Sequence, residues 1–370
     1  MFALTDSSEV RIPGVKYGST WSLLNGPETL VLLEPNDSTG CLQVPVFAGS
    51  ICIGADGRGA WKDVLRPDSY SVPLVWEEGA APSIETHGPD TLSWRLTFGQ
   101  EDPWYGDLFV TASAQGGLSG TISTATGDFR YLHGAWTDAG ELTLQTFDGA
   151  HLFLFTATRE ASGSLSHGRF YSGTHYSTPF TGEHLVRSHT PLSQGKQALW
   201  TGETLGYKGL DLNGEPVFWS ARRLTHPHLL SVMGSWCPNC MDEHRLILDL
   251  MAQFPSLEVH TLAFERGLDR DGGIKSALAR LKRYAQEMGV TQWEDRWHTT
   301  LVGPASKTAA RDSLPFLDQV ISFPTTIVVS PSLPEPWIHS GFNGPATGPA
   351  YDLEKARFVR ALNGGSQESH

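Results

Sequence analysis

Leu229-Leu230-Ser231-Val232-Met233-Gly234-Ser235-Trp236-Cys237-Pro238-Asn239-Cys240 is the stretch that decides the fold of this chain. Its first five residues form a mostly apolar run that predicts a buried strand, and Gly234-Ser235 ends that run. Beyond the two cysteines, apolar side chains recur over residues 247–254 at i, i+3, i+4 and i+7. This is the period of a helix that packs on one face. The stretch therefore predicts a strand, a tight turn and a helix that begins at the cysteines.

The position of the two cysteines predicts their chemistry. Cys237 stands at the helix start, where unpaired backbone N–H groups and the positive end of the helix dipole stabilise an anion. A thiolate is favoured there, and the thiolate is the nucleophile of thiol–disulfide exchange. Cys240, one turn later, can reach back and close a disulfide with it.

Half of a zinc site is the main alternative for this pair, with His244 as a third ligand. A closed structural zinc site requires four ligands. No second C-x-x-C or Cys/His pair follows at a usable spacing. The order of apolar strand, Trp-Cys-Pro-x-Cys and helix is typical of a redox site. We therefore expect no metal at this pair and no cofactor other than the Cys237–Cys240 disulfide itself.

Length and composition limit the other possibilities. A chain of 370 residues favours two domains. The net charge is −13 and no cluster of Lys and Arg stands out, so nucleic acid and acidic membrane surfaces are poor candidate partners. No run approaches the roughly 18 apolar residues of a membrane helix. The N-terminal residues 1–6 lack the features of a signal peptide, which favours the cytoplasm unless a leader has been removed.

Residues 1–190 predict an all-β domain, an antiparallel sandwich or barrel, because short segments of near-two periodicity alternate with Gly, Asp and Ser turns. Residues 191–204 are polar and without periodicity at their start, and we predict a linker there. In the first domain we interpret Cys41 and Cys52 as ordinary buried thiols, with a structural disulfide or a redox-sensitive pair as the alternatives. His151 and His175 are interpreted as satisfied polar groups rather than as a ligand or metal pocket.

Residues 205–370 predict an α/β domain. A second strand is expected at 257–264, and a second amphipathic helix over residues 274–285. Arg266 and the charged residues that follow it indicate a solvated turn. A loop that contains Trp293 and Trp297 is predicted next, then a strand at 327–329 and a closing helix at 352–362. Alternating strands and helices are typical of a layered α/β fold.

These motifs resemble the thioredoxin-like TlpA/ResA group of thiol–disulfide oxidoreductases. The resemblance rests on Asp211-Leu212-Asn213-Gly214-Glu215-Pro216-Val217, on Trp236-Cys237-Pro238-Asn239-Cys240, and on Phe323-Pro324-Thr325-Thr326. In the first domain, Phe147-Asp148-Gly149-Ala150-His151 is similar to a TlpA-like subfamily with a β-rich N-terminal domain. The resemblance implies a thioredoxin fold for residues 205–370. It also favours the bacterial cell envelope, in conflict with the N-terminus, and the location stays open.

The resemblance also implies roles for individual residues. Cys237 is the exposed nucleophile, Cys240 the resolving thiol and Pro324 the cis-proline. Glu243 matches the family's active-site acid, and a carboxylate there could take the proton that Cys240 must lose. The alternative is a glutamate on the helix surface. The residues implied to contact the substrate are Trp236, Pro238, Phe323 and Thr325.

The predicted function is thiol–disulfide exchange with protein thiols and disulfides through a mixed disulfide, with a redox partner that the sequence does not identify. Two alternatives remain. In one, the β-domain binds a ligand or a partner protein and the dithiol is accessory. In the other, the protein is a peroxiredoxin-like peroxidase, although Leu230 and Gly234 occupy the Pro and Thr positions of the P-x-x-x-(T/S)-x-x-C motif, counted back from Cys237.

Overall fold

The computed structural model describes residues 1–34, 40–66, 70–77, 91–113, 117–185 and 195–365. The chain divides into two compact units, Met1–Ser193 and Gln194–His370. The first part of the predicted linker, residues 191–194, lies outside the described residues.

The first unit is built from short antiparallel strands, as its alternating sequence predicts. The strands are β1 (Phe2–Ala3), β2 (Glu9–Val10), β3 (Gly14–Tyr17), β4 (Thr20–Asn25), β5 (Glu28–Leu32), β6 (Leu42–Gln43), β7 (Gly49–Ile53), β8 (Arg58–Asp63), β9 (Ser71–Val75), β10 (Thr91–Phe98), β11 (Trp104–Ala112), β12 (Gly117–Thr124), β13 (Gly127–Asp128), β14 (Leu132–Trp136), β15 (Glu141–Phe147), β16 (Leu152–Arg159), β17 (Leu165–Ser172) and β18 (Tyr176–His184).

Eight of these strands close into a barrel. They pair in the order β11-β10-β18-β17-β16-β15-β14-β12, and β12 pairs with β11 to complete the ring. Every second residue of β10 from Trp94 to Phe98 is fully buried, together with alternate residues of the neighbouring strands. Closure removes the two open edges that a sheet of this length would expose. Of the two predicted architectures, sandwich and barrel, the barrel is the one that forms.

Strand β13 pairs with the end of β12, and the other nine strands of the first unit form a six-stranded sheet in the order β2-β1-β9-β8-β7-β6 and a three-stranded sheet, β3-β4-β5. Cys41 and Cys52 form a disulfide in the six-stranded sheet. The interpretation of these cysteines as ordinary thiols is therefore wrong. Leu42 pairs with Ile51 in the β6–β7 ladder, so the next residues outward face each other across it, and the two Cα atoms are 4.2 Å apart. All four cysteines of the chain are paired.

The second unit is a layered α/β structure around one seven-stranded sheet. Three helices exceed ten residues, and none of the helices in the described part of the chain has the length and apolar character needed to span a bilayer. The elements are β19 (Gly206–Leu210), β20 (Pro216–Ser220), β21 (His228–Met233), α1 (Pro238–Gln253), β22 (Glu258–Glu265), α2 (Gly273–Glu287), β23 (Trp297–Pro304), α3 (Lys307–Ser313), β24 (Thr325–Val329), β25 (Trp337–Ser340) and α4 (Pro349–Leu362), with 3-10 helices at Val290–Trp293 and Pro345–Thr347.

The strand order β20-β19-β23-β22-β21-β24-β25 places β21, with all six residues buried, near the middle of the sheet. Strands β21, β22 and β23 are parallel, whereas β24 runs antiparallel to β21. Because β21 and β22 are covered on both faces, buried residues follow one another along them instead of alternating with exposed ones. The carboxyl end of β21 is connected by a short turn to the cysteines at the start of α1.

Helix α3 and strand β25 are not among the predicted elements, and two further parts of the second unit differ from the prediction. Residues 297–304 form β23, whereas the sequence predicts a loop there. The polar residues His298, Thr299 and Thr300 interrupt the apolar pattern of this strand, and its pairing with β22 stabilises it nevertheless. Residues 195–204, expected as the end of the linker, pack on the second unit. Ala198 is buried there, and Trp200 forms a bridge to Leu317.

Candidate dithiol site

Cys237 is the N-cap of α1, and Pro238 is the first residue of the helix. Proline suits this position because its ring fixes a helical φ and no helical partner exists for an N–H there. The backbone N–H of Cys240 donates to Cys237 Sγ over 3.2 Å, and the two sulfurs are joined in a disulfide. Cys237 is 5% exposed and Cys240 is fully buried at 0%. Cys237 therefore carries the outer sulfur, the one that a second molecule can reach.

The segment before β24 forms the wall that faces the outer sulfur. The Phe323–Pro324 peptide bond is cis, and the carbonyl oxygen of Phe323 lies 3.4 Å from Cys237 Sγ. Ser322 Oγ donates to the carbonyl oxygen of Pro324 at 3.0 Å, which holds this turn in place. A backbone acceptor is thus presented beside the sulfur, where a second backbone in extended conformation could pair with it.

An aromatic and cationic rim surrounds this wall. The rings of Trp236 and Phe323 meet edge to face with centroids 5.3 Å apart, and both residues are half-buried. Trp236 Nε1 donates to the carbonyl oxygen of Phe264 at 2.9 Å. The guanidinium of Arg266 lies 4.5 Å from the Trp236 ring centroid, a cation–π contact. Arg266 is therefore part of the site surface, although the sequence indicated only a solvated turn.

Glu243, three residues after Cys240 on α1, is completely buried and not on the helix surface. Ser231 Oγ donates to its Oε2 at 2.7 Å, and the hydroxyl of Thr326 donates to its Oε1. Burial is the largest influence on this carboxyl and outweighs the two hydroxyl donors, so its pKa rises from 4.5 to about 7. A carboxyl with this pKa exchanges a proton readily near neutral pH.

The polar chain continues behind Glu243. His244 Nε2 lies 3.2 Å from Ser231 Oγ, and its Nδ1 lies 2.8 Å from the hydroxyl of Tyr284. Burial lowers the pKa of His244 to about 3, so the imidazole is neutral. Both ring nitrogens are occupied by these hydroxyl groups. His244 is therefore placed in a hydrogen-bonded core and not beside the sulfurs as a zinc ligand.

A second buried carboxylate anchors the turn that precedes the cysteines. Glu265 accepts the backbone N–H of Ser235 at 2.7 Å and its hydroxyl at 2.9 Å. Arg280 forms a buried ion pair with Glu265 at 3.2 Å. Burial raises the pKa of Glu265 despite these partners. A Cβ on Gly234 would lie 2.2 Å from Trp236 Nε1 and 2.9 Å from the Phe264 carbonyl oxygen, so this turn has room for glycine alone.

The structure separates the predicted site residues into two groups. The first group surrounds the outer sulfur: Trp236, Cys237, Cys240, Phe323 and Pro324. Pro238 is buried in the first turn of α1, and Thr325 is buried with its hydroxyl donating to the Ser322 carbonyl oxygen at 2.8 Å. Neither side chain is exposed at the surface beside the outer sulfur. Thr326, which the prediction left without a role, contacts Glu243 instead.

In the first unit, Asp148 and His151 are hydrogen-bonded to each other. His151 Nδ1 lies 3.1 Å from Asp148 Oδ2, and Asp148 Oδ1 accepts the backbone N–H groups of Ala150 and His151. Burial alone would raise the pKa of Asp148, but the charge of His151 and these hydrogen bonds hold it below its usual value. His175 packs against the ring of Tyr70, 5.4 Å away.

No family model matches the chain, and no curated protein sequence matches it. Solved structures similar to part of it are thioredoxin-like. A thiol:disulfide interchange protein of the thioredoxin family from Chlorobium tepidum is 15% identical, with a TM-score of 0.28 over 46% of this chain and 97% of that one.

Two further structures are comparable. The thioredoxin domain of a thiol-disulfide oxidoreductase from Bacteroides vulgatus is 20% identical, with a TM-score of 0.28 over 44% of this chain and 99% of that one. A SCO1/SenC family lipoprotein from Bacillus anthracis is 17% identical, with a TM-score of 0.27 over 44% of this chain and 98% of that one.

Proposed function

We propose that this protein is a TlpA/ResA-like thiol–disulfide oxidoreductase whose second unit is a thioredoxin fold. One observation carries the proposal. The outer sulfur, on Cys237, caps a helix N-terminus, faces the carbonyl oxygen of Phe323 3.4 Å away, and belongs to the same helix as the buried Glu243. The substrates are protein thiols and disulfides, and the reaction requires no cofactor beyond the Cys237–Cys240 pair.

Substrate binding uses the wall and the rim of the site. An extended peptide that carries a disulfide pairs its backbone with Phe323, next to Cys237 Sγ. The half-buried rings of Trp236 and Phe323 offer apolar contacts on either side, and Arg266 adds a positive charge. Because most of the recognition falls on the substrate backbone, the site accepts disulfides in varied sequence contexts.

The first chemical step is attack by the reduced dithiol. The Cys237 thiolate is stabilised by the N–H of Cys240 and by the positive end of α1. It attacks one sulfur of the substrate disulfide, a bond forms between that sulfur and Cys237, and the substrate S–S bond breaks. The departing substrate thiolate takes a proton from solvent. The product is a mixed disulfide.

The second step resolves the mixed disulfide. The Cys240 thiol must first lose its proton, and we assign Glu243, three residues further along α1, as the acceptor. The Cys240 thiolate then attacks Cys237 Sγ, closes the intramolecular disulfide and releases the second substrate thiolate, which is protonated in turn. The protein dithiol is thereby oxidised by two electrons and the substrate disulfide is reduced by two. The reverse sequence of steps oxidises a substrate dithiol.

Turnover of insulin disulfides, with dithiothreitol as the reductant, tests this proposal. We expect the wild type to accelerate insulin reduction and both Cys237→Ser and Cys240→Ser to lose the acceleration. The double variant Cys41→Ser/Cys52→Ser is the matched control, since it removes the other disulfide of the chain and leaves the second unit intact. Equal activity of wild type and Cys237→Ser, with all variants folded by circular dichroism, would overturn the proposal.

A further inference from the structure

A group of imidazoles surrounds one carboxylate at the amino ends of the parallel strands, away from the cysteines. His228 and Glu258 are paired neighbours on β21 and β22, and His226 lies two residues before His228. Glu258 Oε1 is 2.8 Å from His226 Nε2, and its Oε2 is 3.6 Å from His228 Nδ1. The Nε2 of His298, on β23, lies 3.7 Å from the same Oε2. One carboxylate therefore faces three imidazole nitrogens.

We propose that His226, His228 and Glu258 form a binding site for a divalent transition-metal ion of the zinc type. One ligand atom from each of the three residues lies within 4.8 Å of the others. Around a tetrahedral ion with bonds of about 2.0–2.1 Å, ligand atoms stand about 3.3–3.4 Å apart. The carboxylate offers one oxygen to each imidazole, Oε1 at 2.8 Å from His226 Nε2 and Oε2 at 3.6 Å from His228 Nδ1, and these separations lie on either side of that value. A rotation of the carboxylate that turns one oxygen towards both imidazoles would bring the three ligand atoms around one ion.

The chemistry and the exposure of the three groups fit this ion class. Two imidazoles and one carboxylate are a ligand set that zinc accepts, and they leave a fourth position open. His298 is 41% exposed and lies beside that position, where it or a water molecule completes the coordination. His226 and Glu258 are 30% and 29% exposed, so an ion reaches them directly from solvent.

A buried row of polar groups ends at the proposed ligand atom, His228 Nδ1. The hydroxyl of Tyr207 lies 2.9 Å from His260 Nδ1, and His260 Nε2 lies 2.9 Å from His228 Nδ1. If Tyr207 donates to His260, then His260 donates to His228, and His228 Nδ1 carries a lone pair instead of a proton. A metal ion takes this lone pair in place of the His260 N–H, so binding of the ion exchanges one buried hydrogen bond for a coordinate bond.

The site is independent of the dithiol. Five residue steps separate His228 from the end of β21, about 16 Å along the strand, and Cys237 lies beyond that end. In the oxidised protein the two site sulfurs are bonded to each other and do not compete for an ion. Metal binding and thiol–disulfide exchange are thus separable properties.

Calorimetric titration of the oxidised, metal-free full chain with Zn²⁺ alone tests the proposal, with bound zinc counted by elemental analysis after gel filtration. We expect one ion per chain for the wild type and for His184→Ala, a matched control because His184 is an exposed histidine of the first unit. We expect binding weakened at least about tenfold in His226→Ala and in Glu258→Gln. If Glu258→Gln fails to fold, His226→Ala decides alone, because His226 lies outside the strands.

A second readout is the visible spectrum with Co²⁺ as the probe, which reports nitrogen and oxygen ligation in the wild type and its loss in His226→Ala. Absence of Zn²⁺ binding to the wild type up to about 0.1 mM would overturn the proposal, since it leaves a hydrogen-bonded cluster only. Equal binding by the wild type and His226→Ala would also overturn it. Insulin reduction by His226→Ala stays at the wild-type rate whichever result is found, so this test and that of the dithiol remain distinct.

Discussion

Replacement of Glu243 by glutamine tests the electrostatics of the site in two ways. The carboxyl is fully buried, and its pKa rises from 4.5 to about 7, mainly because burial penalises the charged form. A folded-state pKa above the unfolded value means that the folded protein binds more protons between these two pH values. Ionisation of Glu243 therefore destabilises the fold increasingly as the pH rises through this window.

The magnitude follows from the shift. Each unit of pKa corresponds to about 1.4 kcal/mol, so the ionised carboxylate destabilises the oxidised protein by about 2–3 kcal/mol more at pH 8 than at pH 5. Glutamine has nearly the same shape and no charge, and the hydroxyls of Ser231 and Thr326 can rotate to meet its amide. We expect Glu243→Gln to gain this amount of stability, relative to the wild type, between pH 5 and pH 8.

The assay is chemical denaturation of the oxidised wild type and Glu243→Gln from pH 5 to pH 8. Subtraction of the two free energies of unfolding at each pH cancels the contribution of the other titrating groups. Glu354→Gln is the control without a trend. Although burial alone would raise the pKa of Glu354, the charge of His339, 3.1 Å away, and hydrogen bonds hold it below its usual value. The stability that this carboxylate contributes is lost only as the pH falls below the unfolded-state pKa, so that variant should be destabilised by nearly the same amount from pH 5 to pH 8. If the free energies of unfolding of the wild type and of Glu243→Gln differ by the same amount at every pH, the reasoning is refuted.

Three further substitutions test the surroundings of the site, each measured by denaturation of the oxidised protein. Gly234→Ala should destabilise the folded protein by about 1–3 kcal/mol and shift the Trp236 fluorescence, because its methyl group would lie 2.2 Å from Trp236 Nε1. An unchanged spectrum would contradict this close packing. Arg280→Met should destabilise by about 3–5 kcal/mol because it leaves the Glu265 charge buried alone, and the double variant Arg280→Met/Glu265→Gln should recover part of the loss. Tyr284→Phe should cost about 1 kcal/mol by removing the hydroxyl partner of His244, and equal stability would show that this hydrogen bond contributes nothing.

Much of the second unit can be predicted from local pattern. The apolar run before Cys237 and the 3.6-residue period after it predict β21 and α1, because burial on both strand faces and on one helix face determines residue type directly. Strand β23 lacks such a signal, since its His and Thr residues are tolerated only through pairing with β22. Residues whose burial depends on a partner strand distant in sequence leave no local trace.

The details of the site show the same limit. Successive residues of a strand point to opposite faces, so only one of Thr325 and Thr326 can contact Glu243, and nothing in the sequence says which. The Cys41–Cys52 bond depends on the register of two short strands, which sequence patterns do not specify. The group around Glu258 is assembled from β21 and the segment before it, from β22 and from β23, and His226 and His298 are 72 residues apart in sequence.

Trapping of the mixed disulfide tests the proposed chemistry most directly. Reduced Cys240→Ser lacks the resolving thiol, so its Cys237 should form a lasting covalent adduct with a disulfide-bonded peptide, and mass spectrometry should locate the new bond at Cys237. Cys237→Ser, in which the remaining thiol is the buried Cys240, should form none under the same conditions. No adduct with Cys240→Ser, or equal adduct formation by both variants, would contradict the assignment of Cys237 as the attacking sulfur.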